Sequence, residues 1–408
     1  MEDETAEGIK VLVFLQRRDR RSVIILLPHL QGIWIVKPPA DSCGKGIRIV
    51  TEPEDVLDSR LVVVKWHDPA HASIEMPQQN LIVQKYITNP FLVNGLKFDL
   101  RLYVLLTSID PIKLYLYDDG LVRFATKPFT MDENNLNNKY IHLTNYAINK
   151  KSEEFVQNEN PTEFEGHKWS VKTFRRYLES QGHDWTRLWT RIRDIVSKTV
   201  ICGHAGLLDS FQKDAQSDYS CYKIFGIDIF LDEKLKPWLL EFNSFPSLCE
   251  AQLDRHVNEP MLAEAFNIAG FHLTSKLKPK QKQKIMSRYQ EIHFFVITKT
   301  VTYRYKLPEG SPVEFDPRLY DDVWDEEFLT ADPEMTEDNE GWTGQDDGLI
   351  EEEHLGGREV RLLVRAEEEW SQAQGFERLI PSPGSAKYLR YLPRIRPADR
   401  LLAAWDSR

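Results

Sequence analysis

Between Val11 and Phe271 the chain alternates short apolar runs with polar punctuation, and the period of each run predicts an element. Lys10–Leu15, Val23–Leu27, Ile33–Lys37 and Ile47–Val50 have strand length, with Pro and Gly between them. Leu81–Ile87, Phe98–Thr107 and Ile112–Tyr117 are further predicted strands. Leu121–Thr126 follows across Asp118-Asp119-Gly120, which reads as a hairpin turn because Asp-Gly between alternating apolar runs favours one. In Val171–Ser180 and Trp185–Ala205 apolar positions recur every three or four residues, the spacing of a helix face. Lys223–Leu231 and Trp238–Phe242 predict a second hairpin. Beyond Phe271 the pattern weakens until Glu359–Phe376, where Val360, Leu363, Val364 and Trp370 predict a final amphipathic helix. The expected class is α+β with mostly antiparallel sheets.

Composition sharpens this picture. The chain has 408 residues, 41% of them hydrophobic, with 10 Trp, 15 Tyr and 20 Phe, enough for a sizeable core over two or three domains. No apolar run reaches the roughly 18 residues of a membrane span, and the acidic start, Met1–Lys10, is unlike a secretory signal. Cys43, Cys202, Cys221 and Cys249 lie far apart, which argues against a zinc site or disulfide scaffold and for a reducing cytosol. The net charge of −11 is uneven: Lys276, Lys278, Lys280, Lys282, Lys284 and Arg288 make one basic stretch, and no Lys or Arg lies between Arg318 and Arg358. Nucleic acid is therefore not an expected partner of the whole chain. A basic run is more often a plain solvated face than a docking site.

Four constellations carry candidate chemistry. Lys37 closes an apolar strand and is followed by Gly44-Lys45-Gly46-Ile47; glycines let backbone N–H groups approach phosphates, and ammonium groups offset their charge. Neither a Walker A nor a Rossmann spacing fits, and such loops more often only turn the chain. Lys97, Asp99 and Arg101 share one face of a strand by its period of two, and Arg123 alternates on the next; paired arginines there could clamp a phosphoryl group, or form only a solvated row of ion pairs. Asp228 and Glu241 each sit inside an apolar strand, where a carboxylate needs a cation or a hydrogen-bond donor. With a loop over Glu233–Lys236 they fall opposite each other, and like charges so placed repel unless a metal intervenes. Asn243 shares that face, and an oxygen-only set suits Mg²⁺ over zinc; pairing with a lysine is the competing explanation. Lys139-Tyr-Ile-His142-Leu-Thr144-Asn145-Tyr146 is a polar loop or a capped helix start, with His142 a packed, hydrogen-bonded side chain.

The strings WIVKPPA, CGKGI, LIVQKYI, GLKFDLRLYV, DDGLVRFA, YIHLTNYAINK and FGIDIFLDEKLKPWLLEFN, in this order over more than half the chain, resemble the tubulin–tyrosine-ligase-like family, an ATP-grasp branch. The resemblance implies an ATP-grasp-like fold whose antiparallel sheets sandwich ATP. It implies that Lys37, Gly44, Lys45, Gly46 and Ile47 meet phosphates, that Gln84, Lys85, Tyr86 and Ile87 form the adenine hinge, and that Lys97, Asp99, Thr144 and Asn145 also hold nucleotide. Arg101 and Arg123 would be catalytic, Arg101 and Tyr146 would meet the substrate, and Asp228, Glu241 and Asn243 would ligate Mg²⁺. The C-terminal block from Glu359, with Asn267–Phe271, is similar to that of polyglutamylases that start side-chain branches. The segment LLEFNSFPS departs from the family pattern by Phe242 and Phe245, where smaller residues are usual beside the substrate pocket, and the family's N-terminal subdomain is short here.

The resulting expectation is a tubulin glutamylase using ATP, Mg²⁺ and free L-glutamate, with a non-catalytic tubulin-binding relative or a glycine or tyrosine ligase as alternatives. We expect an atypical N-terminal segment at 1–30, the ligase domain at 31–275, a basic then acidic, partly disordered linker at 276–357 and a helical block at 358–408. The expected protein is a monomer of the cytoplasm and microtubule cytoskeleton, with cilium or basal body as further sites.

Overall fold

Two antiparallel sheets of unequal size organise the chain, and the polar end of the larger faces the smaller. The computed structural model describes residues 12–13, 32–38, 44–51, 82–158, 160–214, 222–248, 251–269, 357–392, 395 and 397–406. The small sheet holds β1 (Leu12–Val13), β2 (Trp34–Lys37), β3 (Arg48–Val50) and β4 (Ile82–Lys85) in the order β1-β4-β2-β3. The chain continues through β5 (Phe98–Ile109), β6 (Ile112–Phe124), two single-turn helices α1 (Lys139–His142) and α2 (Tyr146–Asn149), and β7 (Lys168–Ser170). Then come α3 (Val171–Ser180), α4 (Trp185–Asp214), β8 (Lys223–Leu231), β9 (Pro237–Asn243) and α5 (Gln252–Ile268). The C-terminal block contains α6 (Gly357–Gln372), β10 (Phe376–Ile380), α7 (Ala386–Leu389) and α8 (Pro397–Asp406). The large sheet runs β10-β6-β5-β8-β9, with β7 also paired to β6.

Alternation along β5 decides what covers each face. Phe98, Leu100, Leu102 and Val104 join one core with Phe174 and Leu178 of α3 and Leu188, Ile192 and Val196 of α4. Tyr103 and Leu105 point the other way, against Leu253, Val257 and Met261 of α5. The first half of that second face bears Lys97, Asp99 and Arg101 instead. The small sheet lies toward this polar half, its Ile49 and Tyr86 packed with Leu136 of the segment after β6.

Helix α3 keeps its predicted bounds because Ser170, at the end of β7, accepts the N–H of Thr173 (3.0 Å) and starts it. Helix α4 runs past the predicted end at Ala205 to Asp214. Its exposed side carries i,i+4 pairs, Lys198–Asp194 and Lys213–Asp209, that favour helix without an apolar stripe.

Three expectations need correction. Asp118-Asp119-Gly120 is no turn: β6 runs through it, and the chain reverses at Asp110-Pro111. Leu102 pairs with Gly120 and Val104 with Leu116, so the two aspartates lie in a bulge. Asp119 accepts the N–H of Lys172 (3.1 Å) at the start of α3, and Asp118 donates its N–H to Gly375 O (2.7 Å). At this point the outer edge of β6 changes partner, from β10 over Leu114–Tyr117 to β7 over Leu121–Arg123. The helix expected over Glu359–Phe376 stops at Gln372, and Phe376 opens β10. Glu264 of α5 causes the exit by accepting the N–H groups of Gly375 (2.8 Å) and Phe376 (2.9 Å). The block over 358–408 is therefore not wholly helical. Phe242, third, is turned away from the charged face of the sheet; its ring packs on Phe225 at 4.6 Å, on the helix-covered face. Val23–Leu27 and the basic and acidic stretches of the linker expected to be partly disordered lie outside the described residues.

Candidate active site

Four neighbouring strands place a lattice of alternating charge on the polar half of the sheet. The register sets Arg123 of β6 opposite Asp99 of β5, Arg101 of β5 opposite Asp228 of β8, and Asp228 opposite Glu241 of β9. Arg123 grips Asp99 with two nitrogens, Nε to Oδ1 at 2.9 Å, and reaches Asp228 Oδ2 through Nη2 at 2.7 Å. Arg101 also holds Asp228 bidentately, its Nη2 at 3.0 Å from Oδ2, and lies 3.8 Å from Glu241. Asp99, Arg101, Arg123 and Asp228 are all buried. Burial opposes the Asp228 charge, yet Arg123 and Arg101 hold its carboxyl well below the usual range. The guanidiniums are likewise held above their ordinary value by their carboxylates, against the pull of burial. Glu241 is different. Its side chain is 48% exposed, and partial burial together with Asp228 beside it pushes its pKa up.

The neighbouring Lys97 ties the sheets together. Its Nζ donates to Tyr86 Oη (3.0 Å), at the end of β4, and to the carbonyl of His142 (2.9 Å), in α1. Burial lowers this lysine to about 8, with Asp99 opposing. His142 completes the relay: Nε2 meets Asn135 O at 3.2 Å and Nδ1 meets Tyr86 Oη at 3.0 Å. A carbonyl only accepts, so Nε2 carries the proton and Nδ1 receives that of Tyr86. Burial and the Lys97 charge lower His142 to about 4, and it is neutral at pH 7 as a packed histidine should be.

The glycine loop and the lysine before it come close to the same cluster. Gly44 has φ +71°, which favours glycine, and a Cβ there would stand 2.6 Å from Ile148 and 3.0 Å from Asn145 Oδ1. The loop is therefore pressed onto α2, with Lys45 and Gly46 exposed and Ile47 half-buried. Lys37 Nζ donates to the carbonyl of Leu240 in β9 (3.2 Å), bridging the two sheets; burial lowers its pKa and Glu241 raises it. In the segment Gln84–Ile87, Lys85 is exposed, and Tyr86 gives its N–H to Ile33 O (2.8 Å), so that amide is already engaged. Thr144 is buried at the junction of α1 and α2. Asn145 occupies the N-cap of α2 without making a capping bond.

Sequence reasoning missed a second buried pair. Lys168 of β7 binds both oxygens of Asp254 in α5, at 2.7 and 2.8 Å, and its ammonium stands 4.0 Å from the ring centre of Tyr146. Next along β5 from Arg101, the buried Tyr103 side chain meets the buried Asn258 of α5. The available signal was local: a lysine entering an apolar strand, and an acid in the first turn of an amphipathic helix.

Asp228, Glu241 and Asn243 come together as expected, with Asn243 Nδ2 donating to Glu241 Oε1 at 2.9 Å. Among the described residues no group of three or more His, Cys, Asp or Glu side chains is arranged to hold a metal. Two carboxylates and an amide nevertheless form the hard oxygen set Mg²⁺ takes. They fit one: the raised pKa of Glu241 marks a charge that a cation would relieve, provided Asn243 turns its oxygen inward.

A family model described as "Tubulin-tyrosine ligase family" matches residues 9–282. The chain is 34% identical over 379 residues to "Tubulin monoglutamylase TTLL4" of Mus musculus, covering 92% of this chain and 29% of that protein. It is 39% identical over 243 residues to "Tubulin polyglutamylase TTLL5" of Homo sapiens, 59% of this chain and 18% of that protein. Over 261 residues it is 39% identical to "Tubulin polyglutamylase TTLL7" of Mus musculus, 62% and 26% respectively. The chain thus spans less than a third of the length of these relatives.

Proposed function

The chain belongs to the tubulin-tyrosine ligase family, and from that premise we propose that it is an ATP- and Mg²⁺-dependent ligase adding free L-glutamate to glutamate side chains in acidic tubulin tails. The observation that carries the reading is the charge lattice Asp99–Arg123–Asp228–Arg101–Glu241, roofed by the lysine-bearing small sheet. The names of the relatives, glutamylases of tubulin, favour glutamate as donor and tubulin as acceptor.

A carboxylate is a poor acyl donor because its leaving group is oxide. In the proposed reaction an oxygen of the acceptor carboxylate attacks the γ-phosphorus of ATP and ADP departs. The amine of free glutamate then attacks the acyl carbon, phosphate leaves, and one proton is released. Such chemistry asks the protein for position and charge more than for covalent help. Arg101 and Arg123 are held rigid by their carboxylates and would neutralise charge on the transferred group. Lys37, Lys97 and the Gly44–Ile47 loop would hold phosphates, with Asp99, Thr144 and Asn145 supporting and Gln84–Ile87 bordering the adenine. Tyr146 and Lys168 would meet the donor amino acid, near the buried Tyr103 and Asn258. Asp228, Glu241 and Asn243 would hold Mg²⁺, which supplies charge neutralisation on the nucleotide phosphates. The cytoplasmic microtubule cytoskeleton, including cilium or basal body, is the matching location, and a monomer suffices for the site.

The test is incubation with Mg·ATP, microtubules and labelled glutamate, glycine or tyrosine in parallel. Glutamate alone should be incorporated. Incorporation of glycine or tyrosine, or of nothing despite nucleotide binding, would overturn the reading.

A further inference from the structure

Three of the seven large hydrophobic side chains exposed among the described residues lie on β9 or just past it, next in sequence to Glu241 and Asn243. Leu239 and Leu240 of β9 are 38% and 37% exposed, and Phe245, two residues past Asn243, is 89% exposed. A free-standing phenylalanine forgoes about 2 kcal/mol of burial. Phe245 is also near the chemistry. The next residue, Pro246, folds back onto Gly226, where a Cβ would lie 2.8 Å from Pro246 and 3.2 Å from Arg101 Cδ. That close approach requires glycine and places the Phe245 loop beside Arg101. One side of the Phe245 ring is covered by the Lys223 ammonium, 3.5 Å from its centre.

Charge follows the same line. Lys236 stands 3.8 Å over Trp238 at the other end of β9 from Lys223. Between Pro237 and Leu248, Glu241 is the sole carboxylate. β9 is the terminal strand of the sheet, so its far side presents apolar side chains flanked by lysines. A surface of that kind fits an extended acidic polypeptide with interspersed apolar residues.

We propose that β9 and the Phe245–Lys223 pair form the docking surface for the acceptor polypeptide, and that Phe245 is a specificity-determining residue outside the reacting cluster. This rests on the glutamylase reading above. The peptide runs along β9, its carboxylates meet the lysines, an apolar residue covers Phe245, and one carboxylate is delivered to Arg101. An unrelated surface, the 370 Å³ pocket bounded by Phe164 and Trp169, supplies the control.

The experiment measures fluorescence anisotropy of a labelled peptide of glutamates with interspersed leucine and phenylalanine, alongside nucleotide affinity and steady-state glutamate incorporation. Phe245→Ser should weaken peptide binding and raise the acceptor KM about fivefold or more, with kcat and nucleotide affinity unchanged. Phe245→Trp should restore both, Lys223→Glu should weaken binding further, and Phe164→Ser should change neither. Unchanged peptide affinity in Phe245→Ser and Lys223→Glu would overturn the inference, as would wild-type protein that binds nucleotide but not peptide. Wild-type protein that binds peptide through Phe245 yet incorporates no glutamate would instead overturn the glutamylase reading and leave the docking surface standing.

Discussion

The two faces of β5 are built from consecutive residues and held by opposite means. Phe98, Leu100 and Leu102 are sealed under helices α3 and α4, where removal from water is sufficient. Asp99 and Arg101, one residue away along the same strand, are buried too, but only because each charge has a partner on the neighbouring strand. The lesson is one of dependence. An apolar position loses its own contacts when truncated, whereas a charged one strands the charges around it.

That contrast can be broken most forcefully at Asp228. Asp228→Ala leaves Arg101 and Arg123 buried without their shared carboxylate and should cost about 3–5 kcal/mol in denaturant unfolding; a loss below about 1 kcal/mol would mean that water replaces the lattice. On the apolar face, Leu100→Ala should cost about 2–5 kcal/mol through the cavity it leaves, with no salt dependence. The pH dependence of stability separates the faces again. His142 is lowered to about 4 and is bound neutral, so the unfolded chain takes up its proton first. Stability should therefore fall as pH drops from about 6.5 to 4, and His142→Gln should flatten that slope in thermal melts. Lys97 is read through ligand binding instead: with a pKa of about 8 it loses its charge as pH rises, so nucleotide affinity should decline above pH 8, at most about tenfold per pH unit. The smallest stability change belongs to Glu241→Gln. Half-exposed and pushed toward protonation, Glu241 should be replaced within about 1 kcal/mol, while Mg²⁺-dependent glutamate incorporation is lost. Retained turnover would remove Glu241 from the metal set.

Much of the sheet was legible because period-two alternation is strong where one face is sealed. The shared face of Lys97, Asp99 and Arg101 and the bounds of α3 follow from the sequence directly. The pairing of Asp228 with Glu241 was reached by a different route from nature's. The hairpin closes Leu231 on Pro237, not Asp232 on Pro237, and a bulge at Leu240 restores the register. Counting residues cannot see such compensating shifts, and the same blindness turned the Asp118–Asp119 bulge into a turn. For Asp228 a metal was expected, with a lysine as the competing partner, and its two arginine partners were not named; the Lys168–Asp254 pair left only local signals because 86 residues separate its members. The Tyr86–His142 relay was half legible: the packed histidine was, its partners were not.

The bulge in β6 has a consequence for any shortened chain. Because the edge passes there from β7 to β10, the segment Leu114–Tyr117 owes its covering strand wholly to residues more than 250 positions downstream. Cutting the chain before Phe376 would uncover a row of unsatisfied amides and carbonyls on an apolar strand, a template for intermolecular pairing. The C-terminal strand thus guards solubility, and a fragment lacking it should form sheet-rich aggregates although every side chain of the charge lattice is still present.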